Sequence, residues 1–76
     1  MTDTLELEVA IKRARLTRWD VARILKMSCS AFFNKLHNKS EFKASEIVAL
    51  QKLLQLSNAQ RDRIFFTKFV DIKSTN

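Results

Sequence analysis

Cys29 and His37 are the side chains of this sequence that most readily bind a metal or act as a nucleophile and its base, and each is the single residue of its type. They lie eight residues apart, whereas a structural zinc site needs four ligands. Glycine is absent, which excludes a glycine-rich phosphate loop, a dinucleotide-binding loop and a nucleophile elbow. The sequence therefore predicts a protein that is not an enzyme and that holds no metal, cofactor or small-molecule ligand.

The basic side chains form the clearest chemical pattern. The net charge is +6, and residues 12–43 carry nine basic residues against two acidic ones. Residues 1–11 carry three acidic residues and no basic one. A basic segment of this kind predicts a polyanionic partner, with nucleic acid first and an acidic protein surface second. The alternative is a solvated basic face without a partner.

The length and composition predict one soluble globular domain over residues 1–76. The chain is 46% hydrophobic and 29% charged, which is ordinary for such a domain. No apolar run approaches the roughly 18 residues of a membrane-spanning helix, and the first residues lack the features of a signal peptide. A single cysteine cannot form an internal disulfide, so we expect a reducing compartment, the cytoplasm.

The absence of both glycine and proline favours helices joined by short connections. In the first predicted helix Thr2, Asp3 or Thr4 is the cap, and one face is apolar. That face is formed by Leu7, Ala10, Ile11 and Ala14. A competing strand pattern, the alternation of Leu5, Leu7, Val9 and Ile11, has little to pair with elsewhere in the chain.

Two short helices follow. Thr17 and Asp20 have the spacing of a capping box, which predicts a second helix with Val21, Ala22 and Leu25 inside and an end near Lys26. Ser28 predicts the cap of a third helix that reaches Leu36, with Phe32 and Leu36 facing inward. Asn38 is suited to the left-handed position after that helix.

A fourth helix is predicted over about 44–54 and a fifth from Asn58, where Ser57 and Gln60 form another capping box. The predicted inward residues are Ile47, Leu50, Leu53, Leu54, Ile64, Phe65 and Phe69. The tail, about 70–76, is predicted to be flexible. The fold class predicted from these segments is all-α.

The second and third helices, joined by a tight turn, carry a known pattern. Leu16-Thr17, Val21-Ala22, Leu25, Met27-Ser28 and Phe32 resemble the Cro/repressor family, the lambda repressor-like regulators of bacteria and temperate phages. The resemblance covers about residues 5–66. It implies a compact five-helix domain with a helix-turn-helix at about 17–36, which binds double-stranded DNA as a dimer through its third helix.

The resemblance also implies the roles of individual residues. Side chains at the start and middle of the third helix would reach base edges in the major groove: Cys29, Ser30, Phe33, Asn34 and Lys35. Others would contact phosphates: Arg18, Lys39, Ser40 and Lys43. Cys29 is interpreted as a small side chain of this contact surface, with a redox-sensing thiol as the alternative, and His37 as a solvated residue that favours the helix dipole.

The sequence departs from the family pattern at several positions. Lys26 replaces the glycine of the turn, where a left-handed backbone costs a lysine about 1 kcal/mol. Trp19, Ile24 and Phe33 are large and apolar where the family has polar residues. Three interpretations of these residues are open: they form a protein interface, they extend the core, or Phe33 contacts a thymine methyl group. The third helix also lacks Arg and Gln, so that Asn34 and Lys35 are its only side chains of the types that usually read bases.

Two functions remain open. One is a phage regulator of a lysis/lysogeny switch that binds its operator through the third helix. The other is an antirepressor, a modulator that binds the phage repressor through the same surface and alters its DNA binding. Trp19, Arg23 and Phe33 are the candidate interface residues of the second function.

Overall fold

The computed structural model describes residues 1–67, which form five α-helices. Their bounds are α1 Thr4–Arg13, α2 Arg18–Ile24, α3 Cys29–Leu36, α4 Ala44–Leu53 and α5 Asn58–Phe65. Residues 1–67 contain no strand. The all-α fold with five helices is therefore confirmed, and the alternating apolar residues near the start belong to a helix.

The helices begin where side chains can satisfy their first backbone N–H groups. The first cap is Asp3, whose carboxylate accepts from the third N–H of α1. Thr17, Ser28 and Ser57 cap α2, α3 and α5 in the same way, as predicted. Helix α4 follows Lys43, whose side chain has no hydrogen-bond acceptor. At its start the carboxylate of Glu46, three residues later, instead accepts a hydrogen bond from the backbone N–H of Lys43.

Four helices end in the same way, although the chain has no glycine. The residue after each cap has a positive φ, between 54° and 65°, at Arg15, Lys26, Asn38 and Gln55. Because Lys26 takes the left-handed conformation, α2 ends at Ile24, two residues before Lys26, near which its end was predicted. Helix α4 likewise ends at Leu53, one residue before its predicted end.

The core draws on all five helices. Its buried members are Leu7, Ile11, Val21, Ala22, Phe32, Leu36, Phe42, Ile47, Leu50, Leu54, Ile64 and Phe65. Phe42, which was not predicted as a core residue, links Phe32 to Phe65 through edge-on contacts with ring centroids 5.9 and 5.5 Å apart. Leu25 and Leu53 are half-buried against this core. Phe69 and the predicted tail at 70–76 lie outside the described residues.

An N-terminal strap, residues 1–4, which ends in the first residue of α1, closes one end of the molecule. The side-chain amide of Asn38 donates to the carbonyl of Thr2 and accepts from its N–H, both at 2.8 Å. The hydroxyl of Thr4 donates to the carbonyl of Leu36 at 2.6 Å. A backbone hydrogen bond from Asp3 to α5 completes the strap, which therefore joins the ends of α3 and α5 to the start of α1.

Candidate functional site

The capping box of α2 fixes the first residues of the candidate site. Thr17 and Asp20 exchange two hydrogen bonds, at 2.9 and 3.1 Å. The backbone N–H and hydroxyl of Thr17, followed by Arg23, lower the pKa of Asp20. The carboxylate is thus held in its ionised form, and it draws the guanidinium of Arg23 to 2.6 Å. Arg23, a predicted interface residue, therefore carries its charge beside an acid on its own helix.

Arg18, Trp19 and Phe33 meet in what we call the arginine–aromatic cluster. The rings of Trp19 and Phe33 are edge-on with centroids 6.1 Å apart. The guanidinium carbon of Arg18 lies 4.7 Å from the centroid of Phe33 and 5.7 Å from that of Trp19. Both distances permit a cation–π interaction. The close packing of α2 on α3 brings Phe33 to Trp19 and Arg18, which lie 14 and 15 positions earlier in the sequence.

The same guanidinium has an acidic neighbour on α1. Arg18 and Glu8 are 4.0 Å apart, and their side chains are 39% and 35% exposed. A half-exposed pair at this distance contributes little to stability. It does place a negative charge beside the arginine that was predicted to contact phosphate.

The cluster remains open to solvent. Trp19 is 56% exposed and Ile24 is 49% exposed, so an extension of the core does not describe either residue. Phe33 is half-buried and packs against the core. The interpretations left for this set are contact with a protein and contact with DNA.

Most of the predicted base- and phosphate-contacting residues lie at the surface. Ser30 and Asn34 are exposed on α3, where a spacing of four residues places them on one face. Lys39 and Ser40 are exposed just after α3, and Lys43 is exposed before α4. Cys29 is half-buried against the core, so its thiol is a minor part of this surface.

Lys35 is the exception, because its ammonium is held by Glu46 of α4. Its Nζ atom lies 2.8 Å from both carboxylate oxygens, and only 13% of the lysine side chain is exposed. Burial by itself raises the pKa of Glu46. The hydrogen bonds from Lys35 and from the backbone N–H of Lys43 together lower the pKa by a larger amount. The net result is a lowered pKa. This ion pair joins α3 to α4 and leaves Lys35 little freedom to contact a ligand.

Sequence reasoning missed a groove between α1 and the start of α2. Its volume is about 530 Å³, and we call it the α1–α2 groove. Its apolar lining includes Leu5, Val9, Leu16 and Trp19, and its charged lining is Glu8, Lys12 and Arg18. The signal was present in the alternation of apolar residues from Leu5 to Ile11. Alternate residues cannot share one helical face, so Leu5 and Val9 lie on a different side of α1 from the buried Leu7. They line the groove, and the buried Ile11 also contributes to its lining.

Comparison with known proteins gives no match to a family model, a curated protein or a solved structure. Within residues 1–67 there is no group of three or more side chains suited to hold a metal ion. No helix in that range has the length and apolar character needed to cross a membrane.

Proposed function

We propose that this chain is a small phage-type regulator of a lysis/lysogeny switch whose α2–α3 face binds a protein, the repressor of the same switch. The observation that carries the proposal is the arginine–aromatic cluster. It combines an exposed tryptophan with an arginine and a phenylalanine. Tryptophan and arginine are enriched among the residues that dominate protein–protein binding energy.

The charges of the α2–α3 face support a protein partner over phosphate. Arg18 lies against two rings and beside Glu8, Arg23 lies against Asp20, and Lys35 is bound by Glu46. A phosphate would have to compete with each of these contacts. An acidic protein surface with apolar side chains can instead pair with the arginine and cover the rings.

The resemblance to the Cro/repressor family supports the setting of this proposal. It implies that α3 is the helix that such regulators use for recognition, and that the protein works in the cytoplasm of a bacterial host. Binding to the repressor would cover the repressor's own DNA-contacting surface, and the modulator would thereby alter repression.

Operator binding is the second candidate, and one observation favours it. Ser30 and Asn34 form an exposed polar pair on α3, and Lys39, Ser40 and Lys43 follow at the surface. An asparagine can contact adenine through two hydrogen bonds, and two lysines can contact phosphates. As a homodimer the chain would then bind two half-sites about one helical turn apart.

The test of the first candidate is capture of the cognate repressor by the immobilised full chain. Phe33→Asp should abolish capture, because an unpaired carboxylate would be buried against the partner. Trp19→Ala should weaken it at least tenfold, a loss of about 1.4 kcal/mol or more. Phe66→Ala is the matched control for Trp19→Ala, since Phe66 is as exposed as Trp19 but lies at the end of α5. Equal capture by the Trp19 and Phe66 variants would refute the proposal.

Selection from random DNA duplexes at about 0.15 M salt tests the second candidate. Enrichment of a palindromic motif by the chain alone, lost in Asn34→Ala, would assign the α2–α3 face to DNA. Lys39→Ala and Lys43→Ala should then each reduce the salt dependence of binding by about one phosphate contact. Without such enrichment, loss of the repressor's own motif in the presence of the chain would support the protein partner.

A further inference from the structure

We infer that the α1–α2 groove binds an acidic amphipathic helix of the protein partner. The inference rests on the proposed function for the existence of such a partner, and it names the kind of segment that the partner inserts. The groove adjoins the arginine–aromatic cluster, because Arg18 and Trp19 belong to both.

Part of the apolar lining of the groove is exposed to solvent. Leu5 is 70% exposed and Trp19 is 56% exposed, while Val9 and Leu16 are half-buried. Leu5 and Val9 are four residues apart and therefore lie one turn apart on the same face of α1. Contiguous apolar surface of this kind marks a site of interaction.

The length of the groove suits a short helix. From Leu5 to Lys12 the lining follows α1 for seven residue steps, which is about 10 Å along the axis. About two turns of a second helix have the same length. A helix seated there would present apolar side chains one turn apart, as in other complexes that place a helix in a groove.

The charges around the groove select an acidic occupant. Lys12 and Arg18 line it, and Arg15, which precedes the lining residue Leu16 in the sequence, is exposed. The single acidic side chain in the lining, Glu8, lies against Arg18. Carboxylates flanking the apolar stripe of the incoming helix would therefore meet cations on both sides of the groove.

The same charges disfavour two other occupants. A second copy of the chain, bound by a two-fold contact at this groove, would bring the same basic residues face to face. The segment 68–76 carries Lys68 and Lys73 against one acid, Asp71, so it lacks the complementary charge. The observations therefore favour a separate, acidic protein segment.

Trp19 allows binding in the groove to be followed by fluorescence, because it is the one tryptophan of the chain. The probe is a peptide of about four helical turns with leucines at every third and fourth position and glutamates elsewhere. Titrated into the full chain, it should shift the tryptophan emission to the blue and bind less tightly as salt increases. A second peptide with lysines in place of the glutamates should give neither effect.

Two pairs of variants separate the groove from the rest of the surface. Leu5→Ser should weaken binding of the acidic peptide about tenfold, because the leucine side chain that the bound peptide would bury is removed. Val48→Ser should leave it unchanged, since Val48 is exposed on α4 outside the groove. Lys12→Glu should also weaken binding, whereas Lys52→Glu on α4 should have a much smaller effect.

Several results would overturn the inference. Equal binding of both peptides would remove the acidic selectivity, and equal effects of Leu5→Ser and Val48→Ser would remove the site. A dimer in sedimentation that Leu5→Ser dissociates would assign the groove to a second copy. Tighter peptide binding by Phe69→Ser would assign it to the chain's own 68–76 segment.

Capture of the repressor distinguishes this inference from the proposed function. Loss of capture in both Phe33→Asp and Leu5→Ser would support both. Loss in Phe33→Asp alone would leave the function standing and refute the role of the groove. Retention in Phe33→Asp would refute the proposed function, while the peptide titration would still report on the groove.

Discussion

Arg18 has three neighbours that compete for one guanidinium, and each comes from a different helix. It lies over Phe33 of α3, approaches Trp19 of α2 and is 4.0 Å from Glu8 of α1. An arginine in these surroundings is held in place before a ligand arrives. Such preorganisation reduces the side-chain entropy lost on binding, so the residue is well suited to anchor an interface.

Glu46 gives a residue-scale prediction with a defined pH dependence. Because its pKa is lowered in the folded protein, its stabilising effect is complete above the unfolded value of about 4.5 and is lost as the pH falls through the folded pKa. Glu46→Gln should reduce the free energy of unfolding at neutral pH by about 1–2 kcal/mol. Urea unfolding should show the full difference at neutral pH and a difference that shrinks as the pH falls below about 4.5.

Glu41→Gln is the control for this experiment. Glu41 is exposed and makes no ion pair within the part of the chain that the structure describes. Its replacement should change the stability by less than about 0.5 kcal/mol at any of these pH values. A difference between wild type and Glu46→Gln that persists undiminished at low pH would show that the carboxylate charge is not its source.

At the scale of the elements, the helix ends show how a chain without glycine stops its helices. After α1 to α4, a left-handed residue is followed by an N–H that bonds back five residues, at 2.8 to 3.2 Å. This is the arrangement of a Schellman motif, in which glycine is the usual left-handed residue. Polar side chains take that position here, and the hydrogen bonds offset the strain of the positive φ.

Two glycine variants at equivalent positions should have opposite effects. Lys26→Gly removes strain from the turn between α2 and α3 and should stabilise the protein by about 0.5–1 kcal/mol. Asn38→Gly relieves similar strain but loses both hydrogen bonds to Thr2, so it should destabilise the protein. Thermal unfolding measures both, with about 4 °C or more expected for each kcal/mol. Shifts of the same sign would contradict this account of Asn38.

At the scale of the molecule, the N-terminal strap compensates for the small size of the domain. A domain of about this length buries only about 60% of the surface of its unfolded chain, so its margin of stability is small. The strap adds hydrogen bonds between distant parts of the chain, including those of Thr2 and Thr4 to residues 36 and 32 positions away. It thereby couples the ends of three helices.

Loss of one hydrogen bond of the strap should lower the stability of the whole domain. Thr4→Val keeps the shape of the side chain but loses the hydrogen bond to Leu36, and should lower the free energy of unfolding by about 1 kcal/mol. Denaturant unfolding should shift its midpoint without a change in slope, as expected when the transition stays two-state. Ser45→Ala, which removes an exposed hydroxyl on α4 that makes no hydrogen bond within residues 1–67, should leave the midpoint nearly unchanged.

The sequence by itself determined the five helices, most of their caps and most of the core. Each depends on residues within a turn or two of one another, as in the pair Thr17 and Asp20 or the inward pair Phe32 and Leu36. A left-handed Asn38 was likewise predictable, because its conformation is set by the end of its own helix.

Only the tertiary structure decided which side chains are free to bind. The pairing of Lys35 with Glu46 and the stacking of Arg18 on Phe33 join different helices. The groove beneath Trp19 also exists only once α1 and α2 are packed together. Charge and exposure at these positions depend on distances between helices, which the local pattern of residues does not specify.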